Sequence, residues 1–197
     1  MRWRFDGWIA GLGTAEGTRI VVGHWPRSPL GAFSDVMVER ADGHRVLLAP
    51  SDEVAAFVGD TYLFDEARVV PVMIGTGGRW QVDAGPLRMS FTTGPRGPIG
   101  LLLRAVPPPL ARTPAWISLI DRPARLVMPG VRTRGSAGNG RREWYGAQDL
   151  RPITEVSAAW DGTDLGPLSR VTPPVRFGFG SVPPLPALVR VTTTVAV

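Results

Sequence analysis

The sequence predicts a single all-β domain over residues 1–197, a mainly antiparallel barrel of roughly ten strands with a short helical insertion near Gly97–Asp121. Three observations predict it. Apolar and polar residues alternate with period two over most of the chain, the mark of half-buried strands. Turn signals such as Asp42-Gly43, Gly85-Pro86, Gly138-Asn139-Gly140 and Asp161-Gly162 recur between the apolar runs. The 24 glycines and 20 prolines are scattered rather than clustered, which fits many turns and not disorder.

Trp3, Phe5 and Ile9 point one way from an opening strand over Arg2–Leu12, while Arg2, Arg4 and Asp6 point the other. After a turn at Gly13–Gly17, Thr18–Trp25 returns as a second strand. The glycines of Gly11–Gly17 miss the dinucleotide fingerprint by one residue and precede a strand, so they read as a hairpin turn. Phe33–Arg40 and His44–Ala49 form the next hairpin. Ser51, with Asp52 and Glu53 behind it, caps a short helix that ends at Gly59. Tyr62–Phe64 and Arg68–Ile74 read as strands, and Arg79–Ala84 with Leu87–Thr92 as a further hairpin.

Between Gly97 and Asp121 two apolar helical stretches flank Pro107-Pro108-Pro109, the second opening at Thr113-Pro114. Such an insertion among strands is expected to act as a lid or plug, or simply to cover an open core. Arg132–Leu150 then reads as a polar hairpin. Strands are expected over Ile153–Trp160, Val175–Phe179 and Leu188–Val197. Pairing the first strand with the last would hide both terminal edges.

Composition removes several chemistries. All 22 basic residues are arginine, so Schiff-base and P-loop lysine chemistry is excluded. With no cysteine there is no thiol nucleophile, disulfide or thiolate metal site. The amino terminus lacks a signal-peptide core and no apolar run reaches ~18 residues, so a cytoplasmic location is expected. The net charge of +5 is spread among acidic residues, which makes a solvated surface the expectation and nucleic acid not a partner.

No metal site or cofactor is expected. His24 and His44, with Asp35 or Glu39, could make a two-histidine metal site only if the fold gathered them. A triad assembled from Ser28, His24 and Asp35 lacks a nucleophile elbow. The Arg132–Leu150 hairpin is the stronger nomination. Strand alternation puts Arg142, Trp144 and Gln148 on one face, and Arg141, Glu143, Tyr145 and Asp149 on the other. A buried arginine there needs a carboxylate or a bound anion. Either Arg142 or Arg134 pairs internally with Asp6 or Asp149, or one arginine grips the acidic head of a lipophilic ligand. The ligand-binding candidates are Arg134, Arg142, Trp144, Gln148 and Trp8. Asp6, Glu143, Tyr145 and Asp149 are the acid–base candidates.

Trp3–Gly11, read as WRFDGWIAG, and the later run GSAGNGRREWYGAQDL resemble segments of lipocalin-like (calycin) barrels, in particular the carotenoid hydratase and AttH-type group. The resemblance covers about a third of the chain. It implies a barrel with a hydrophobic cavity, and either ligand carriage or cofactor-free chemistry on isoprenoid-like substrates. No histidine follows His44, so the family's His-rich segment has no counterpart, which bears on catalysis more than on fold. The expected function is therefore binding of a small lipophilic or amphipathic molecule, acidic ones included. A hydratase- or isomerase-like enzyme on an isoprenoid-like or lipid substrate is the alternative, and a structural or interaction barrel with a filled interior a third reading. A homodimer stays open.

Overall fold

The computed structural model describes residues 1–127, 133–136, 140–178 and 182–196. The first half of the chain carries β1 (Arg2–Thr14), β2 (Arg19–Arg27), β3 (Phe33–Glu39), β4 (Arg45–Ala49), helix α1 (Asp52–Gly59), β5 (Glu66–Val69), β6 (Val72–Gly75), β7 (Arg79–Ala84) and β8 (Leu87–Thr93). There follow helices α2 (Pro98–Ala105), α3 (Pro108–Ala111) and α4 (Pro114–Val127). The chain closes with β9 (Arg134–Ser136), β10 (Arg142–Trp160), β11 (Thr163–Asp164), β12 (Leu168–Ser169) and β13 (Ala187–Ala196).

Ten strands form one hydrogen-bonded path, β5-β4-β3-β2-β1-β13-β10-β8-β7-β6, and β9, β11 and β12 attach to β10 and β1 from the side. Neighbours are antiparallel except for β4 and β5. The expected pairing of first and last strands is present, Phe5 lying opposite Thr193. It lies in the middle of the path and does not close it. The sheet curls into a half-barrel, and its two edges return to each other through one extended stretch, Glu66–Gly75. The first half of that stretch pairs with β4 and the second with β7. Val69 and Val72 are three residues apart, so the edges come within about 11 Å. The ring of Pro71 offers no N–H, which accounts for the break where a single strand was expected.

Period two gives the sheet two buried faces. On the inner face Leu12, Ile20, Val36 and Leu48 meet Leu87 and Phe91 from the far wall, all fully buried. Most of the interior is thus packed solid. On the outer face Phe5, Trp25, Tyr145 and Val195 are covered by α1 and by the segments around Tyr62 and Phe177. Helix α1 forms as expected, the Ser51 side chain accepting from the Val54 N–H. Neither Tyr62–Phe64 nor the described part of Val175–Phe179 is a strand; both are irregular covering segments.

The helical insertion reaches Val127, beyond the expected Asp121, and plugs one end of the curl. Gly146 lies opposite Thr192, on the inner face, with the Ala111 carbonyl and the Ile117 side chain directly over it. Gly100 of α2 rides on the Leu150 carbonyl in the same way. A Cβ at either glycine would strike a backbone carbonyl, so these two residues let the helices sit close on β10.

The polar hairpin is present in part: β9 pairs with β10, Arg134 opposite Trp144. Arg132, Gly138 and Asn139 lie outside the described residues. The second arm does not end at Leu150. It runs on through Ile153–Trp160 as one 19-residue strand, and β10 leaves β13 to pair with β8.

Candidate functional sites on the two faces of the sheet

A chamber of about 80 Å³ lies on the outer face, walled by Phe5, Trp25, Phe33 and Phe57. Four polar side chains that could do acid–base work enter it, and strand geometry places each. Asp35 lies opposite Gly23 in the β2–β3 register, and Trp25 is two residues on, on the same face. The Trp25 indole folds back over Gly23 and its Nε1–H donates to Asp35 Oδ1 at 3.0 Å. A Cβ at Gly23 would run into both atoms of that bond. Burial pushes the Asp35 carboxyl up to about 7, against the opposing pull of the indole and of its own backbone N–H.

Glu143 and Tyr145 are two apart on β10 and face the same chamber. Tyr62, carried in by the segment after α1, completes a ring. Its hydroxyl lies 2.5 Å from that of Tyr145 and 3.1 Å from both Glu143 oxygens, and Tyr145 donates to Glu143 Oε2 at 3.1 Å. Burial raises Glu143 to about 7, opposed by the two phenols and the charge of Arg141. Burial likewise lifts both phenols well above 10, and the charge of Asp35 contributes at Tyr145. Acid, base and phenol donors thus meet in an apolar space. Thr193, opposite Tyr145, also lines it, and its buried Oγ1 has no hydrogen-bond partner among the described residues.

The second site is a cleft of about 520 Å³ on the inner face, where the packed interior gives way to the helical plug. Trp8, Trp80 and Leu188, all of the inner core, form its apolar wall. Arg96, Arg104, Arg151 and Arg190 line it against one carboxylate, Asp149. Asp149 is engaged by Arg96 through two-pronged bonds of 2.8–2.9 Å, with Arg104 at 3.9 Å. Arg190 differs from Arg96. Its guanidinium lies 4.3 Å over the Trp8 ring and donates to the carbonyls of Gly7 and Val191. It makes no ion pair among the described residues, although the Asp6 charge acts on it from a distance, and burial lowers its pKa.

The sequence candidates divide between the two sites. Glu143 and Tyr145 reach the outer chamber, and Trp8, Gln148 and Asp149 the cleft. The alternation read from sequence put Asp149 with Glu143. A β-bulge at Gln148, between Ala147 opposite Val191 and Asp149 opposite Arg190, turns Asp149 to the inner face. Gln148 bonds there to Thr192 Oγ1 and to Arg112. Asp6 accepts from Thr192 and enters neither site. Arg134 and Arg142 are exposed and line neither space; Arg134 only approaches Asp121, at 4.0 Å. Trp144 sits under Arg2, at 5.6 Å. The expected ion pairs of Arg134 or Arg142 with Asp6 or Asp149 are replaced by Arg96–Asp149.

The alternative constellations do not assemble. His24 faces inward, bonded to Ser34 and stacked on Trp8, while Asp35 on the neighbouring strand faces outward. Ser28 is held in its own loop by Gly31 and Leu30. His44 meets Glu66 at the surface. Among the described residues no three His, Asp or Glu gather as a metal site, and no helix is long and apolar enough to cross a membrane.

Sequence reasoning missed Arg190, Asp35 in its actual role, and Tyr62. A signal for Arg190 was available: it is the one charge in the apolar run Leu188–Val197, at a position the alternation assigns to a buried face. Tyr62 gave none, since its role depends on a covering segment without period.

No family model and no curated protein matches this chain. Among solved structures it is similar to a protein from Nitrosomonas europaea provisionally assigned as AttH, at 12% identity and a TM-score of 0.30. The match covers 96% of this chain and 38% of that one, so the chain spans less than two fifths of the protein it matches. The architecture described above rests on register and burial.

Proposed function

We propose that the inner-face cleft binds a small amphipathic acid. Its apolar body lies against Trp8, Trp80 and Leu188, and its carboxylate or phosphate head meets Arg190. The observation that carries this reading is Arg190 itself, a half-buried guanidinium with an aromatic face beneath it and no ion pair among the described residues. Four arginines against one aspartate make the cleft a cationic pocket, and its volume falls in the range of small-molecule sites, about 300–1,000 Å³. Binding is favoured over catalysis in this cleft because its one carboxylate, Asp149, is already engaged by Arg96 and has no free acid–base role.

Calorimetric titration with decanoate, and with decanol as its uncharged counterpart, tests the reading. A charge-assisted hydrogen bond contributes about 1.5–3 kcal/mol, so Arg190→Gln should weaken decanoate binding roughly ten- to a hundredfold and leave decanol unaffected. Arg190→Lys should restore it only in part, because an ammonium lacks the planar fork. Equal affinity for the acid and the alcohol in the unaltered chain would refute the proposal.

A further inference from the structure

We propose that the outer-face chamber is a second binding site, for a short-chain primary ammonium ion held between Asp35, Glu143 and the Thr193 hydroxyl. It is separate from the cleft and does not depend on the reading given for it.

The chemistry of the walls points to a cation. Two carboxyl groups enter a mostly apolar chamber that no arginine lines among the described residues. Arg141, the one cation that acts on Glu143, is spent on Thr61 Oγ1, the Phe57 carbonyl and Asp60. An unpaired carboxylate in such surroundings is costly, and a cation entering with the ligand would offset that cost. A primary ammonium carries three donors and no acceptor. The chamber offers acceptors on Asp35, Glu143 and Thr193, and the Thr193 Oγ1 is buried without a partner among the described residues. The aromatic rings of Phe5, Trp25 and Phe33 in its wall are surroundings that attract a cation.

The available donors argue against an anion. The Tyr62 and Tyr145 hydroxyls are committed to each other and to Glu143, and the Trp25 N–H to Asp35. Size limits the guest. A dry cavity of about 150 Å³ holds a benzene molecule. At about 80 Å³ the chamber suits an aliphatic amine of four or five non-hydrogen atoms.

Binding should also move protons. Asp35 faces Trp25 and the Tyr145 phenol; Glu143 faces Tyr62 and Tyr145, with Arg141 acting from outside the chamber. With both carboxyls raised to about 7, the empty site is largely protonated below neutrality and must release a proton to receive a cation.

The test titrates the full chain with butylamine, butanol and butyrate at pH 6, 7 and 8, by calorimetry in two buffers of different ionisation heat. The Trp25 indole N–H resonance serves as a local reporter. Butylamine is expected to shift that resonance, to bind at least tenfold more tightly than butanol, to gain roughly fivefold in affinity from pH 6 to 7, and to release protons. Butyrate should not bind the chamber. Asp35→Asn and Glu143→Gln should each weaken butylamine at least tenfold while decanoate binding in the cleft is unchanged. If butanol matches butylamine, or if butylamine leaves the Trp25 signal unmoved at pH 8, the site is not an ammonium site. Those comparisons use the unaltered chain, so the proposal stands or falls even if a variant does not fold.

Discussion

Replacing Glu143 by Gln should change the shape of the stability–pH curve, not merely its height. In the folded chain burial holds the Glu143 proton up to about 7, against the phenols of Tyr62 and Tyr145 and the charge of Arg141; unfolded, the group titrates near 4.5. Between those values the native state keeps a proton that the unfolded chain has lost, so raising the pH favours unfolding. Stability contributed by the neutral carboxyl is fully present below 4.5 and is gone above about 7. The displacement corresponds to about 3 kcal/mol at 1.36 kcal/mol per pH unit. Gln keeps the shape and cannot ionise. The variant should therefore be somewhat less stable than the parent at pH 4.5, where the acid closes the ring with its own O–H. It should gain on the parent by about 3 kcal/mol on going to pH 8. Urea unfolding followed by tryptophan emission at pH 4.5, 6, 7 and 8 measures the difference at each pH. The carboxylates held low by arginine partners, Glu39, Asp65 and Glu66, shape both curves alike and cancel in the difference. Parallel curves would refute the reasoning, because they would mean that Glu143 is ionised throughout and that burial does not dominate its environment.

Two further outcomes follow from the fold. Glu39, fully buried, holds Arg19 at 2.9 Å and Arg176 at 2.8 Å, so Glu39→Ala leaves the buried Arg19 guanidinium uncompensated; a loss of about 3–5 kcal/mol is expected, read as a drop of roughly 10 °C in Tm. Gly146→Val would drive a side chain into the Ala111 carbonyl and lift the plug from β10; faster proteolysis within residues 98–127 at near-native sheet content, seen by circular dichroism, would report it, and unchanged proteolysis would show that the plug does not depend on that contact.

Much of the sheet was legible because period two is a local property. The alternation of Trp3, Phe5 and Ile9 marked a face of β1, and the turn residues marked the hairpins β1–β2, β3–β4 and β7–β8. The helix capped by Ser51 was legible for the same reason, since a cap is written within four residues. What failed needs information from elsewhere in the chain. Val175–Phe177 has strand-forming residues but pairs with no strand among the described residues, and it covers the outer face as an irregular segment. The two spaces were not legible at all, because each is closed by elements distant in sequence. Tyr62 meets Glu143 across 81 residues and Arg96 meets Asp149 across 53.

The hairpin arm nominated from its charge density lines both spaces, but by a route that alternation alone cannot reveal. A strand without irregularity would have kept Glu143, Tyr145, Ala147 and Asp149 on one face and crowded a third carboxylate into the outer chamber beside Asp35. The extra residue at Gln148 sends Asp149 to the inner face, where Arg96 compensates it and the cleft keeps its cationic excess. A second irregularity, between Ile153 and Glu155, then returns Ala158 and Trp160 to the inner core as β10 passes from β13 to β8. One strand thereby serves two chambers of opposite character, a carboxyl-bearing one outside and an arginine-bearing one inside. The ligands proposed for the two differ in sign accordingly, an ammonium for the first and an acid for the second. That division follows from where the bulge falls, since in an unbroken register Asp149 would lie with Asp35 and Glu143 instead of with Arg96.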